Sequence, residues 1–239
     1  RDKQPVKFVG VLKFLTLIHN WALCFTSLFM FLGISYFAFE NFRSDGAEAM
    51  FCDANKRGNR GPLIAFYYIF YYTKYWELID SVILALKKKP IIFLHIYHHF
   101  ITLVLTFVML YDEVAVQWAC IVTNCFVHIW MYAYYAMRAH DTPTMHKICG
   151  QYKVAITSSQ ITQFFIDVGA IGYGFFLYWQ HDFVGCSGHL YSWIFGAFVI
   201  VSFLVLFLNF FDKQYTQPGQ KKKAPAPAKS TPKKSQKAD

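Results

Sequence analysis

Charge is scarce in this chain. Lys, Arg, Asp and Glu make up 15% of its 239 residues, and only 14 of those are acidic. That is well below the share carried by an average soluble domain. No internal repeat is visible, and no second histidine box of HxxxH or HxxHH type accompanies the single one described below. What is abundant is apolar: 56% of residues are hydrophobic and 20% aromatic. This balance selects an all-α, polytopic membrane protein before any motif is read. The net charge of +9 does not call for nucleic acid, because the basic excess sits in loops and in a Lys/Pro/Ala-rich tail. Positive charge beside a span reports topology and anionic lipid instead.

Six apolar stretches are long enough to cross a hydrocarbon core of about 30 Å: residues 11–39, 62–86, 91–111, 114–137, 153–179 and 190–211. Residues 40–61 and 138–152 read as loops, and 212–239 as a disordered basic tail behind a membrane domain of residues 1–211. The basic N-terminus, Lys87, Lys88 and Lys89, the 138–152 segment and the tail share one side. The opposite loops are close to neutral, so the basic side is expected to be cytosolic. Cys52 and Cys186 both fall on the other side, where an oxidising compartment permits a disulfide. Chance placement of two loop cysteines on one face accounts for them equally well.

Polar residues interrupt four of the spans. The third carries His95, His98 and His99, which a helix gathers on one face. The second has Lys74, Glu77 and Asp80 three apart. The fourth has Asn124, His128, Tyr132 and Tyr135, and the fifth Thr157, Gln160, Gln163 and Asp167. At 1.5 Å per residue these groups lie roughly 6–15 Å from the basic end. Packing polars would scatter in depth, whereas these converge on one layer, as an active site open to the basic side would require. Ionisable residues within a membrane ordinarily mark function. Bland roles remain open: a buried ion pair for Lys74, Glu77 and Asp80, and helix bridging for Gln160 and Gln163. His19, His140, His146, His181 and His189 read as ordinary loop or span-end residues.

The layer admits two chemistries. His95, His98, His99 and His128 could ligate a metal, giving a metal-dependent lipid oxidase or hydroxylase; the lone box and the absence of a carboxylate or cysteine ligand on the same helix weigh against it. Alternatively, one imidazole acts as nucleophile or base beside another. Asp80 or Glu77 would then orient a ring, and Lys74, Asn124 or Gln163 would stabilise an oxyanion. A non-enzymatic lipid or proton carrier is the third reading.

At these residues the chain resembles the ELO family of very-long-chain fatty acid elongases. KYWELIDS (residues 74–81) resembles the family's KxxExxDT element, with Ser81 for threonine. HIYHH (95–99) is its HxxHH box. Asn124, His128, Met131, Tyr132, Tyr134 and Tyr135 match NxxxHxxMYxYY, and Thr157, Gln160, Gln163 and Phe164 match TxxQxxQF. The resemblance implies condensation of acyl-CoA with malonyl-CoA to 3-oxoacyl-CoA, CO2 and CoA, with no further cofactor. It makes His98 the expected nucleophile, assisted by His99, His95 and His128. It also implies a substrate tunnel, a seventh span before Arg1, and the reductases and dehydratase of an elongation cycle as partners, and it leaves homo-oligomerisation open. The endoplasmic reticulum is expected from the family rather than from the tail, where Gln236 stands in place of one lysine of the usual dilysine signal.

Overall fold

The structure is a computed structural model that describes residues 9–54, 61–140 and 142–217. The basic stretch before residue 9 and the tail beyond 217, both singled out in the sequence, lie outside the described residues. Six helices follow one another: α1 (Val9–Phe51), α2 (Pro62–Leu86), α3 (Phe93–Tyr111), α4 (Gln117–Ala139), α5 (Pro143–Gln180) and α6 (Leu190–Phe211), the last prolonged by a π-helical turn, Asp212–Thr216.

Several boundaries are written in local chemistry. Pro62 occupies the first turn of α2, where its missing N–H is an orphan anyway. Pro90 follows the lysine-rich end of α2 and blocks its continuation. Two boundaries differ from expectation. Residues 40–51 are helical rather than looped: α1 breaks at Gly46, whose φ of +80° suits a residue without Cβ, and resumes to Phe51. α5 starts ten residues before the expected span, because Thr142 caps it by accepting the Met145 N–H at 3.3 Å and Pro143 fills its first turn. Both additions follow from capping and propensity, which a hydropathy reading ignores.

The helices close into a ring. α1 packs on α2 and α4, α2 on α3, α3 on α6, α6 on α5 and α5 on α4. Since successive helices alternate in direction, every neighbour in this ring is antiparallel. At the α1–α2 contact, a Cβ on Gly33 would stand 2.2 Å from the Phe66 ring, so glycine there allows the close approach. Four helices (α1, α3, α5 and α6 with its π-turn) are both long and apolar enough to cross a membrane. α2 and α4, of 25 and 23 residues, are long enough at about 1.5 Å per residue. Their composition is less apolar because they carry the buried polar groups. Phe25, Phe100, Trp130 and Phe198 point outward and are exposed, as lipid-facing residues are. The chain is thus an all-α polytopic membrane bundle.

The end remote from the basic loops is stapled. Cys52, just past α1, is joined to Cys186 in the α5–α6 loop by a disulfide. Ser187 adds a backbone N–H to the Cys52 carbonyl at 2.7 Å and a hydroxyl to the Asp53 carbonyl at 2.9 Å. Nearby, Asp112 at the end of α3 accepts hydrogen bonds from Ser192 and from Tyr191, and His189 lies 3.3 Å away. Burial pushes the Asp112 carboxyl up, but the Ser192 and Tyr191 hydrogen bonds and His189 outweigh it and leave it below its ordinary value. A depressed carboxyl adds stability that is complete above the unfolded value, about 3.9, and is lost as pH falls through the folded value. Acidification from about pH 5 to about pH 3 should therefore lower the thermal midpoint of the native protein more than that of Asp112→Asn, read by differential scanning calorimetry. Equal slopes would remove Asp112 from the account.

Candidate active site

Two cavities run through the ring. A wide one of about 670 Å³ opens at the basic end, where Lys87, Lys89, Arg138 and Lys153 line its mouth. A narrow one of about 80 Å³ continues toward the disulfide end between α2, α3, α4, α5 and α6, and is mostly apolar. Four residues line both: His98, Asn124, Gln163 and Phe164. The expected tunnel is therefore a polar vestibule leading into a slot.

Nearly all the polar residues singled out in the sequence meet at the vestibule. Its walls include His95, His98 and His99 of α3, Glu77 and Asp80 of α2, Asn124, His128, Tyr132 and Tyr135 of α4, and Gln160 and Gln163 of α5. The histidines are close together: ring centroids of His95 and His99 are 4.4 Å apart with a 55° tilt, and His98 stands edge-on to His99, at 88° and 5.5 Å. Phe203 of α6 backs His98 at 4.9 Å. His95 Nε2 is 2.9 Å from the Ser81 hydroxyl.

Behind the vestibule lies a charged cluster. Lys74 Nζ donates to Glu77 Oε1 at 2.8 Å and to Asn124 Oδ1 at 3.0 Å, and sits 4.0 Å above the Phe70 ring. Lys74 is 2% exposed and lines neither cavity. It stands in the wall behind the vestibule, in the buried ion pair that the sequence left open beside an oxyanion role. Glu77 also meets His128 Nδ1 at 3.3 Å, while Asn124 Nδ2 is 3.4 Å from His128 Nε2. A carboxylate on Nδ1 holds the proton there and leaves Nε2 to accept from the Asn124 amide. The rings met by Glu77 and Asp80 are thus not those of the HxxHH box. Glu77 holds His128, and Asp80 holds His19 at 2.8 Å while accepting from Tyr132 at 2.9 Å.

His19 is the residue that sequence reading misplaced. It is 7% exposed and belongs to the polar layer. The signal was available: His19 and Asn20 lie about 15 Å along α1 from its basic end, and Thr16 and Asn20 also line the vestibule. Asp167 is likewise more involved than expected. Fully buried, it lines the narrow cavity and accepts from Thr123 at 2.7 Å and Gln163 at 3.2 Å. Gln160 reaches only the Met131 sulfur, at 3.6 Å. His181 and His189 remain at the disulfide end, and His140 is exposed, as loop or span-end roles require. Among the described residues, no three His, Cys, Asp or Glu side chains are grouped so as to hold a metal ion.

The site is thus a histidine-walled vestibule joined to an apolar slot inside a ring of membrane helices. A sequence model of the ELO: GNS1/SUR4 family matches residues 1–223. Fatty acid elongase sre1 of Dictyostelium discoideum is 36% identical over 86% of this chain and 74% of its own length. Fatty acid elongase A of the same organism is 38% identical, over 93% and 78% respectively. Very long chain fatty acid elongase 6 of Mus musculus is 36% identical over 69% of this chain and 59% of its own length. The chain belongs to the ELO: GNS1/SUR4 family, a membrane family of fatty acid elongation.

Proposed function

We propose that this chain is the condensing enzyme of fatty acid elongation, joining acyl-CoA and malonyl-CoA to form 3-oxoacyl-CoA, CO2 and free CoA through an acyl-imidazole on His98. One observation carries the reading. Of the three box histidines, His98 alone lines both cavities, so an acyl group bonded to it can lie in the apolar slot while CoA occupies the vestibule.

In the first half-reaction His98 attacks the thioester carbonyl, the C–S bond breaks and CoA leaves as the thiol, taking the proton that the imidazole sheds. His99, edge-on to His98, and His95 beyond it relay that proton from the imidazole to the departing sulfur. In the second, malonyl-CoA loses CO2 and the electron pair of the broken C–C bond becomes an enolate. Its carbon attacks the acyl-imidazole carbonyl, the C–N bond breaks, and the departing imidazolate of His98 takes up one proton from water at the vestibule, which restores the neutral ring. Decarboxylation supplies the carbanion, so the balance needs no redox cofactor or metal. His128, held by Glu77 at Nδ1 and met by Asn124 at Nε2, lines the vestibule where malonyl-CoA would lie. Lys87, Lys89, Arg138 and Lys153 hold the phosphates of CoA at the mouth. This places the basic end in the cytosol, where both CoA esters are made, and the disulfide on the lumenal side of the endoplasmic reticulum membrane. The 3-oxoacyl product would pass to the reductases and dehydratase of the cycle.

The test is incubation with acyl-CoA alone, followed by mass spectrometry of the peptide that contains His98. An acyl mass increment that disappears on adding malonyl-CoA is the expected result. Turnover without any increment would replace the acyl-enzyme with a one-step condensation, and stoichiometric iron or zinc in active protein would favour the metal-dependent alternative.

A further inference from the structure

Thr102 lies one helical turn beyond His98 on the same face of α3, about 5–6 Å away by helical spacing. It lines the narrow cavity and is 8% exposed. Among the described residues, its hydroxyl is the one fully buried side-chain oxygen or nitrogen without a hydrogen-bond partner. Six other threonines in the helices are bonded within their own helix. Thr16, Thr73, Thr106, Thr123, Thr157 and Thr162 all fold back onto a carbonyl three or four residues earlier. Thr102 leaves the carbonyl of His98 alone. An unsatisfied hydroxyl in a dry site is destabilising, and a structure retains such a group where a ligand atom completes it.

Other donors near His98 already have partners in the wall, though each side-chain amide keeps a second N–H. Lys74 is bound to Glu77 and Asn124, and Gln163 gives its amide N–H to Asp167. Resting on the acyl-transfer reading above, we infer that the Thr102 hydroxyl is a catalytic hydrogen-bond donor to the carbonyl oxygen of the transferred acyl group. When His98 Nε2 adds to the thioester carbon, the C=O electron pair moves onto oxygen, and Thr102 O–H donates to that oxyanion until the C–S bond breaks and C=O re-forms. It donates again when the malonyl-derived enolate adds to the acyl-imidazole, until the C–N bond breaks. A donor placed before the reaction stabilises charge that exists only in the transition state.

The experiment compares native protein, Thr102→Val and Thr102→Ser as full chains in lipid nanodiscs. It reads CO2 release from malonyl-CoA, KM for acyl-CoA, and the thermal midpoint without substrate. Thr102→Val, similar in shape, should turn over about 100-fold more slowly. Its KM should change by less than about threefold, and its midpoint should stay level or rise, since the lost hydroxyl bonded nothing. Thr102→Ser should recover the rate to within about fivefold of native. A purely structural hydroxyl gives the opposite pattern: a lowered midpoint, with rate lost in parallel and no rescue by serine. That pattern, or a Thr102→Val rate within about twofold of native, overturns the assignment alone. Native protein without malonyl-dependent CO2 release overturns the acyl-transfer reading and the assignment with it.

Discussion

His98→Ala should abolish condensation, with CO2 release falling by about four orders of magnitude or more and no acyl increment remaining on the box peptide. The size of the effect follows from position. His98 is the histidine at the junction of vestibule and slot, so no neighbour can accept the acyl group while leaving its tail in the apolar cavity. The His99 ring is 5.5 Å from that of His98, and both His99 and His95 line the vestibule but not the slot. Their alanine variants should keep a measurable acyl-enzyme and lose rate by about 10²- to 10³-fold, as loss of a proton-transfer group does. His140→Ala, an exposed imidazole outside both cavities, is the control and should stay within about twofold of native. The measurement is single-turnover acylation followed by a malonyl-CoA chase. If His98→Ala is acylated at another box histidine and still turns over, the junction does not define the nucleophile.

Lys74→Met should produce the largest loss of stability of any single substitution in the polar layer. The Lys74–Glu77 pair is 2% and 3% exposed, and removing the ammonium leaves a buried carboxylate with only His128 at 3.3 Å to answer it. Breaking a buried pair in this way costs about 3–5 kcal/mol, or about 10 °C in thermal midpoint for a chain of this size. Asn124 loses its donor in the same step. The double variant Lys74→Met/Glu77→Leu removes both charges and should recover most of the midpoint, since apolar replacement of a whole buried pair is often neutral or better. It should stay inactive, because His128 then has no carboxylate to hold Nδ1–H and fix its ring at the vestibule wall. Thermal unfolding and CO2 release on the same preparations separate the two outcomes. Recovery of activity with stability would make the cluster a packing device.

Much of the fold was legible because it depends on composition and local sequence. α2 and α6 run over the expected residues, 62–86 and 190–211. In α2 the start is signalled by Gly61-Pro62 and the end by three lysines and Pro90. α1 and α5 were underestimated, because hydropathy locates where a helix meets lipid and not where it stops. Residues 40–51 and 143–152 are polar enough to look like loops, yet caps and helix-forming residues continue the helix through them. In the site, the periodic sets on α2, α3, α4 and α5 were readable as faces. His19 was not, since a lone histidine in an apolar run reads as an ordinary span residue until Asp80 of another helix is placed 2.8 Å away.

The sequence by itself determined an all-α membrane bundle, its polar layer and the box histidines, because hydrophobic span length and helical periodicity are local properties of the chain. Tertiary structure alone decided the rest. It closed α1, α2, α3, α6, α5 and α4 into a ring, drew Lys74 off the cavity into a buried pair, assigned Glu77 to His128 and Asp80 to His19, and left the Thr102 hydroxyl unspent beside His98. These outcomes depend on which helix faces which, and helices far apart in sequence settle that by burying polar groups against one another where neither water nor lipid can satisfy them.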